Sequence, residues 1–164
     1  MDETRVPILV GSGQVTQRES DTAVALSPMD LTAEAGRKAA DDSGAGDALL
    51  KALDTIVLLR SFSDTSWRFT CPFGKYANPP KSLANRLKAD NAARLVYTHP
   101  GGNMPQWSVN RMFEMITRGE LQAAMITAVS YTHLRAHETR EERGWARGGW
   151  KKKGGGGGGG GGGG

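Results

Sequence analysis

The chain has only one cysteine, Cys71, and three histidines among its 164 residues. One cysteine cannot form an internal disulfide, and this scarcity fits a reducing compartment, so we expect a cytoplasmic location. Scattered histidines and a single thiol do not supply the ligand set of a zinc site, so we expect no bound metal. The composition therefore argues against disulfide-rich secreted domains and zinc-binding modules.

Long apolar runs are also missing. No stretch approaches the roughly 18 uninterrupted apolar residues that suggest a membrane-spanning helix. The N-terminus, MDETRVPILVGSG, starts with acids and holds only a short apolar run. A secretory signal needs a basic start and a longer apolar segment. We therefore expect no membrane partner.

Most of the chain lacks an excess of either charge. Residues 1–128 carry 14 Lys and Arg against 14 Asp and Glu, whereas residues 129–164 carry 7 against 3 and hold the whole net charge of +4. A neutral body offers no basic face for phosphates, so we expect no nucleic-acid partner. A protein that binds RNA or DNA through its tail alone is the alternative hypothesis, and it predicts strongly salt-dependent binding.

The segment 129–164 differs from the rest in composition. It contains 14 of the 23 glycines and ends in an unbroken glycine run over 154–164. Polyglycine cannot bury apolar surface, so we expect this tail to be disordered. The string at 130–139 looks like a translated sequencing adapter, and we interpret the tail as an artefact; a genuine basic, flexible tail is the alternative. The predicted domains are a body at 1–128 and a disordered tail at 129–164.

The body alternates predicted strands and helices. Four short apolar or β-branched runs predict strands: Val6–Val10, Thr55–Leu59, Arg94–Thr98 and Ala123–Ala128. Helices are predicted after the cap Ser27, around Leu49–Leu53, over Ser82–Lys88 and before Gly119. This alternation predicts an α/β layered fold with a largely parallel sheet.

For two of the predicted helices, the sequence pattern also predicts which face packs against the rest of the protein. The first starts with Ser27 as N-cap and Pro28 at its first position. Its residues Leu31, Ala35 and Ala39 form a narrow face of mainly small residues, suited to close packing. In the last helix, four apolar side chains recur at i, i+3, i+4 and i+7: Val109, Met112, Phe113 and Ile116.

Three features outside these elements are candidates for chemistry. Gly11–Gly13 begins like a dinucleotide-binding loop, but Thr16 replaces the third glycine and no helix follows directly, so a simple turn is favoured. Cys71 lies in the long irregular loop 61–81, with no histidine near it in sequence, so a packed cysteine is favoured over a nucleophile. His99 at a strand end either faces a site or makes an ordinary hydrogen bond.

The segment from Tyr97 to Gln106 is the most informative. A strand that ends in Gly101-Gly102 and leads at once into a helix exposes backbone N–H groups to an anion or a carbonyl oxygen. The same geometry places the nucleophile of an α/β acyl-transfer enzyme on a sharp turn at a helix start. Spacing alone leaves open whether the glycines serve such a site or only make the turn.

Several segments together resemble the N-terminal part of the thiolase superfamily, and specifically its acetyl-CoA acetyltransferase branch. They are spread over nearly all of residues 5–128: Val6–Arg18, Pro28–Leu31, Ser66-Trp67, Gly101–Gln106, Val109–Arg111 and Ile116–Gly119. The resemblance implies an incomplete thiolase-like half-domain with layered α-β-α architecture and a mixed, mostly parallel sheet. It also implies acyl-CoA thioesters as substrates, no tightly bound cofactor and a homo-oligomeric full-length protein.

The chain departs from this family at the catalytic position. The resemblance puts the family's nucleophilic cysteine at or near Gly102, and glycine carries no nucleophile. Gly101, Gly102 and Asn103 remain the predicted substrate-binding residues, through their backbone amides. The family's catalytic histidine and second cysteine belong to a C-terminal half that is missing from this sequence. We therefore expect an inactive N-terminal fragment of an acyl-CoA acyltransferase; the alternative is a fragment of a non-catalytic acyl-CoA-binding or partner-dependent subunit.

Overall fold

A computed structural model describes residues 5–19, 21–61, 64–65 and 71–129. Their helices and strands follow one another in this order: α1 Pro28–Asp42, α2 Asp47–Ala52, β1 Thr55–Leu58, α3 Pro79–Leu87, β2 Arg94–Tyr97, α4 Met104–Thr117 and β3 Ala124–Thr127. Residues 130–164 lie outside the described ranges, as do Ser66 and Trp67. The disordered, artefactual tail therefore stays a prediction.

The three strands of this part of the chain form one parallel sheet in the order β2-β1-β3. Ile56 of β1 is paired with Leu95 on one side and with Met125 on the other. Because parallel strands need crossover connections, α3 joins β1 to β2 and α4 joins β2 to β3. Strand β1 is buried along its whole length, as its apolar sequence predicts for a central parallel strand.

The sheet separates two apolar layers. Ile56 and Leu58 belong to the core cluster that includes Leu50 of α2 and Leu83 of α3. Val57, whose side chain alternates to the other face, packs in a second cluster with residues of α4. The described residues therefore form the predicted α-β-α layers of a thiolase-like half-domain.

Helix starts follow the capping residues of the sequence. Ser27 is the N-cap of α1 and its side chain accepts from the amide of Asp30, which confirms the prediction. Helix α3 begins at Pro79, three residues before the predicted start at Ser82, because the Asn78 side chain accepts from the amide of Lys81. No helix in the described ranges is long and apolar enough to cross a membrane.

The predicted first strand, Val6–Val10, is wrong. Within the described residues this segment pairs with no strand. Its apolar side chains are largely exposed, with Ile8 at 72% and Leu9 at 83%. An apolar run becomes a strand only where another strand supplies hydrogen bonds, and this segment continues into residues that lie against α1 and not along the outer edge of β2 or β3.

The segment after this run packs against α1. A Cβ added at Gly11 would lie 2.1 Å from the carbonyl oxygen of Ala39, and one added at Gly13 would lie 2.2 Å from that of Ala35. The Ser12 amide donates to the Asp42 carboxylate at 2.8 Å. The glycines of Gly11–Gly13 thus permit close approach to a helix side, and the small-residue face of α1 serves this contact.

The buried face of α4 is rotated from the predicted one. Its fully buried residues are Ser108, Met112 and Met115, which share a face at i, i+4 and i+7. Phe113, predicted to be buried, is 41% exposed, and Trp107 is 51% exposed. The prediction is confirmed for Met112, which is buried, and for Ile116, which packs beside it. It is wrong for Phe113, because two apolar stripes run along this helix and the sequence does not say which one meets the sheet.

Candidate substrate-binding site

The turn between β2 and α4 holds the three predicted substrate-binding residues, Gly101, Gly102 and Asn103. It leaves the carboxyl end of a parallel strand, where open α/β sheets place their ligand sites. The amide of Met104 donates to the Gly101 carbonyl at 3.2 Å, and that of Trp107 donates to the Asn103 carbonyl at 3.0 Å. The structure thus brings the predicted residues together at the N-terminus of a helix.

The cap of α4 does not use its side chain. Asn103 occupies the N-cap position with φ −85°, and its side chain makes no capping hydrogen bond. N–H groups in the first turn of a helix have no partner within the helix, and a side-chain cap would normally satisfy one of them. The amides of Met104 and Trp107 are already engaged. Pro105 has no N–H, so Gln106 carries the remaining first-turn donor. This donor and the positive end of the helix dipole favour an electron-rich ligand atom.

Gly102 is not required by the geometry of the turn. It is exposed, its φ lies outside the left-handed region, and a Cβ added to it meets nothing within 4 Å. A Cβ at Gly101, in contrast, would lie 2.8 Å from the side-chain oxygen of Asn103. The position assigned to the family's nucleophile therefore has room for a side chain.

The two other candidate residues lie in different places. His99 is exposed on the turn itself, three residues before Gly102. Cys71 is a free, half-buried thiol in the wall of a groove whose lining does not include the turn residues 99–103. Because the chain has no other cysteine, its only thiol lies outside the turn.

The groove that contains Cys71 was not predicted from the sequence. It encloses about 50 Å³ at the carboxyl end of the sheet, and each strand contributes a residue at or just after its end: Leu58, Tyr97 and Val129. Met29 of α1 contributes a further part of its wall. The signal that could have found it is the tendency of parallel sheets to bind ligands beyond their carboxyl ends, applied to the predicted strand ends.

Arg60, Asp64 and Tyr97 join the loop after β1 to the end of β2. The Tyr97 hydroxyl donates to the Asp64 carboxylate at 2.5 Å. The Arg60 guanidinium lies 5.6 Å from the centre of the Tyr97 ring and donates to the Asp64 backbone carbonyl at 3.0 Å. Burial raises the pKa of Tyr97, the hydrogen bond and charge of Asp64 raise it further, and Arg60 opposes them.

The Tyr97→Phe variant should lose a phenol that ionises at higher pH than an ordinary tyrosine does in a spectrophotometric titration. The folded state holds the Tyr97 proton more tightly than the unfolded chain does, so the associated stability is present below pH 10 or so and is lost as the pH rises through the raised pKa. We expect the phenolate absorbance of Tyr97→Phe to reach its plateau at lower pH than in the parent chain. Tyr76→Phe, the matched control, should retain the late step; a late step that persists in Tyr97→Phe would contradict the assignment.

Tyr76, which also lines the groove, belongs to a charged cluster between α1 and α3. Arg86 donates to the Asp30 carboxylate at 2.6 Å and to the Tyr76 hydroxyl at 3.3 Å. Burial raises the pKa of Asp30, but hydrogen bonds from Ser27 and Arg86 outweigh this effect, and the pKa lies below its ordinary value. The cluster ties the end of the long loop to two helices and thereby holds this part of the groove wall.

The described residues contain no group of three or more His, Cys, Asp or Glu side chains that could hold a metal ion. The polar side chains near the groove are instead engaged with one another, as in the Tyr97–Asp64 and Arg86–Asp30 pairs. These residues offer two separate features: backbone amides at the start of α4 that can donate hydrogen bonds, and an apolar groove with polar edges.

Comparison with known proteins identifies a structural relative of this chain. Neither the family models nor the curated proteins with which the chain was compared match it. The crystal structure of a monomeric SCP2-thiolase-like protein, type 1, from Mycobacterium smegmatis superposes with a TM-score of 0.60 and 29% sequence identity. The match covers 77% of this chain and 24% of that protein, so the chain spans about a quarter of the length of its structural relative. The described part of the chain therefore has a thiolase-like α/β fold.

Proposed function

We propose that the chain is the N-terminal part of a thiolase-like acyl-CoA acyltransferase of the acetyl-CoA acetyltransferase type, and that Gly101, Gly102 and Asn103 bind its thioester. The observation that carries the proposal is the exposed glycine turn at the uncapped N-terminus of α4. The similarity to an SCP2-thiolase-like protein supports it. A homo-oligomeric full-length protein in the cytoplasm is part of the same proposal.

The thioester carbonyl oxygen is the ligand atom that suits this turn. Backbone N–H groups at a helix start donate to an oxygen that gains negative charge when the carbonyl carbon is attacked. Such donors are held by the helix and need no rearrangement, so they favour the tetrahedral state over the planar ester. The turn residues would thus bind and polarise the thioester.

The described chain does not complete a covalent acyl transfer in this proposal. That step needs a thiolate at the helix start, where this chain has Gly102, and its only thiol, Cys71, lies in the groove. The position of Gly102 has room for a nucleophilic side chain but carries none, which favours a second candidate, a non-catalytic or partner-dependent subunit that binds acyl-CoA. The two candidates differ in whether the longer protein turns over acyl-CoA.

The proposal is tested by restoring a thiol at the turn. In Gly102→Cys, the thiolate would attack the acetyl carbonyl of acetyl-CoA, the new sulfur–carbon bond would form, and CoA would leave as a thiolate that takes up a proton. We expect acetylation of the introduced thiol, seen by mass spectrometry in the Gly102→Cys, Cys71→Ser chain, to exceed that of Cys71 in the parent chain by about tenfold or more.

Three outcomes, from this experiment and from activity assays, bear on different parts of the proposal. Acetylation of the introduced thiol at the rate of Cys71 or below would reject thioester binding at the turn. Release of CoA from acetyl-CoA by the unmodified chain would reject the claim that it performs no transfer. Turnover by a longer protein that retains Gly102 would favour the acyltransferase over the binding subunit.

A further inference from the structure

We propose that Thr98 is a positioning residue whose hydroxyl sets the orientation of the turn at the N-terminus of α4. The inference rests on the proposed function, because it assigns Thr98 to the thioester-binding turn. Thr98 lies directly after β2 and is 6% exposed, so its hydroxyl is shielded from water. A buried hydroxyl must find its partners within the protein.

Both hydrogen-bonding capacities of this hydroxyl are used. Its oxygen accepts from the backbone amide of Arg60 at 3.1 Å and donates its proton to the His99 carbonyl at 2.8 Å. The first bond holds the loop after β1, and the second holds the first peptide of the turn. One side chain therefore connects the two segments that leave the sheet side by side.

The position of Thr98 makes this connection rigid. Its own amide donates to the Leu58 carbonyl at 3.1 Å, which continues the pairing of β1 and β2 by one residue. The sheet thus fixes the backbone of Thr98. The hydrogen bond from its hydroxyl to the His99 carbonyl then fixes the start of the turn. Because the His99 carbonyl is fixed, the peptide group between His99 and Pro100 has less freedom to rotate. The predicted binding residues Gly101, Gly102 and Asn103 follow directly after Pro100.

The role belongs to the hydroxyl and not to the shape of the side chain. Valine has nearly the same shape as threonine and suits a strand end equally well. Thr98→Val would leave the Arg60 amide and the His99 carbonyl without their partner while keeping the packing. Thr98→Ser retains the hydroxyl, and Thr127→Val makes the same isosteric change near the corresponding end of β3.

The test combines amide hydrogen exchange with binding of acetyl-CoA to the full chain. In Thr98→Val we expect the Arg60 amide to exchange faster, because it loses its acceptor. The amides of Met104 and Trp107, which donate to carbonyls of the turn, should also exchange faster. The affinity for acetyl-CoA should fall about tenfold, since one or two buried hydrogen bonds are lost. Thr98→Ser should restore both readouts, and Thr127→Val should change neither. Circular dichroism of each variant verifies that the helices are retained.

The readouts separate this inference from the proposed function. Unchanged exchange and affinity in Thr98→Val, or equal changes in Thr127→Val, would overturn the role of Thr98. If the parent chain does not bind acetyl-CoA, the proposed function fails. Faster exchange of the turn amides in Thr98→Val with rescue by Thr98→Ser would then still support the positioning role, and its absence would overturn it.

Discussion

Replacing Ile56 by alanine is expected to lower the free energy of unfolding by about 2–5 kcal/mol, the usual cost of removing a large aliphatic side chain from a core. Ile56 is 0% exposed at the centre of the middle strand. It is paired with Leu95 and Met125, whose side chains lie on the same face of the sheet. The substitution leaves a cavity between the sheet and the helices that pack on this face.

Urea unfolding followed by circular dichroism measures this loss. Ile8→Ala removes the same atoms from a side chain that is 72% exposed, and it should change the stability by less than about 0.5 kcal/mol. A comparable loss in both variants would show that Ile56 does not hold the core together in the way described.

Gly13→Ala is expected to destabilise the chain by about 1–3 kcal/mol, because an added methyl group has no room against α1. The new Cβ would lie 2.2 Å from the Ala35 carbonyl oxygen and 2.5 Å from the Ala39 nitrogen. These are backbone atoms of a regular helix and cannot move aside as the end of a flexible side chain can. The segment must therefore shift away from α1.

The matched control for this variant is Gly102→Ala. Its Cβ meets no atom within 4 Å and its backbone conformation suits any residue, so we expect a stability change of less than about 0.5 kcal/mol. The exchange rate of the Ser12 amide, which donates to Asp42, reports the local shift in Gly13→Ala. An unchanged exchange rate and an unchanged stability would contradict the close contact.

Most elements of the fold were predictable because their signals are local. The cap at Ser27 and the following proline determine where α1 begins. The runs that became β1, β2 and β3 are short and apolar or β-branched, and their alternation with helices predicts a parallel sheet. The glycine turn before α4 was predicted on the same grounds, from Gly101, Gly102 and the helix pattern that follows them.

The features that sequence reasoning missed depend on partners distant in the chain. Val6–Val10 has the composition of a strand, yet strand formation requires a neighbour with free hydrogen-bonding groups. The groove around Cys71 is made by residues from all three strand ends, α1 and the long loop. No local pattern records how these ends converge.

The sequence by itself determined the α/β class, the bounds of most helices and strands, and the position of the glycine turn, because caps, periodicity and turn residues act over a few neighbouring positions. Tertiary structure alone decided which face of α4 is buried, why Gly11 and Gly13 are glycines, and that Gly102 has space above it. Each of these depends on which atoms of another element come within contact distance, and this is fixed only when the layers pack together.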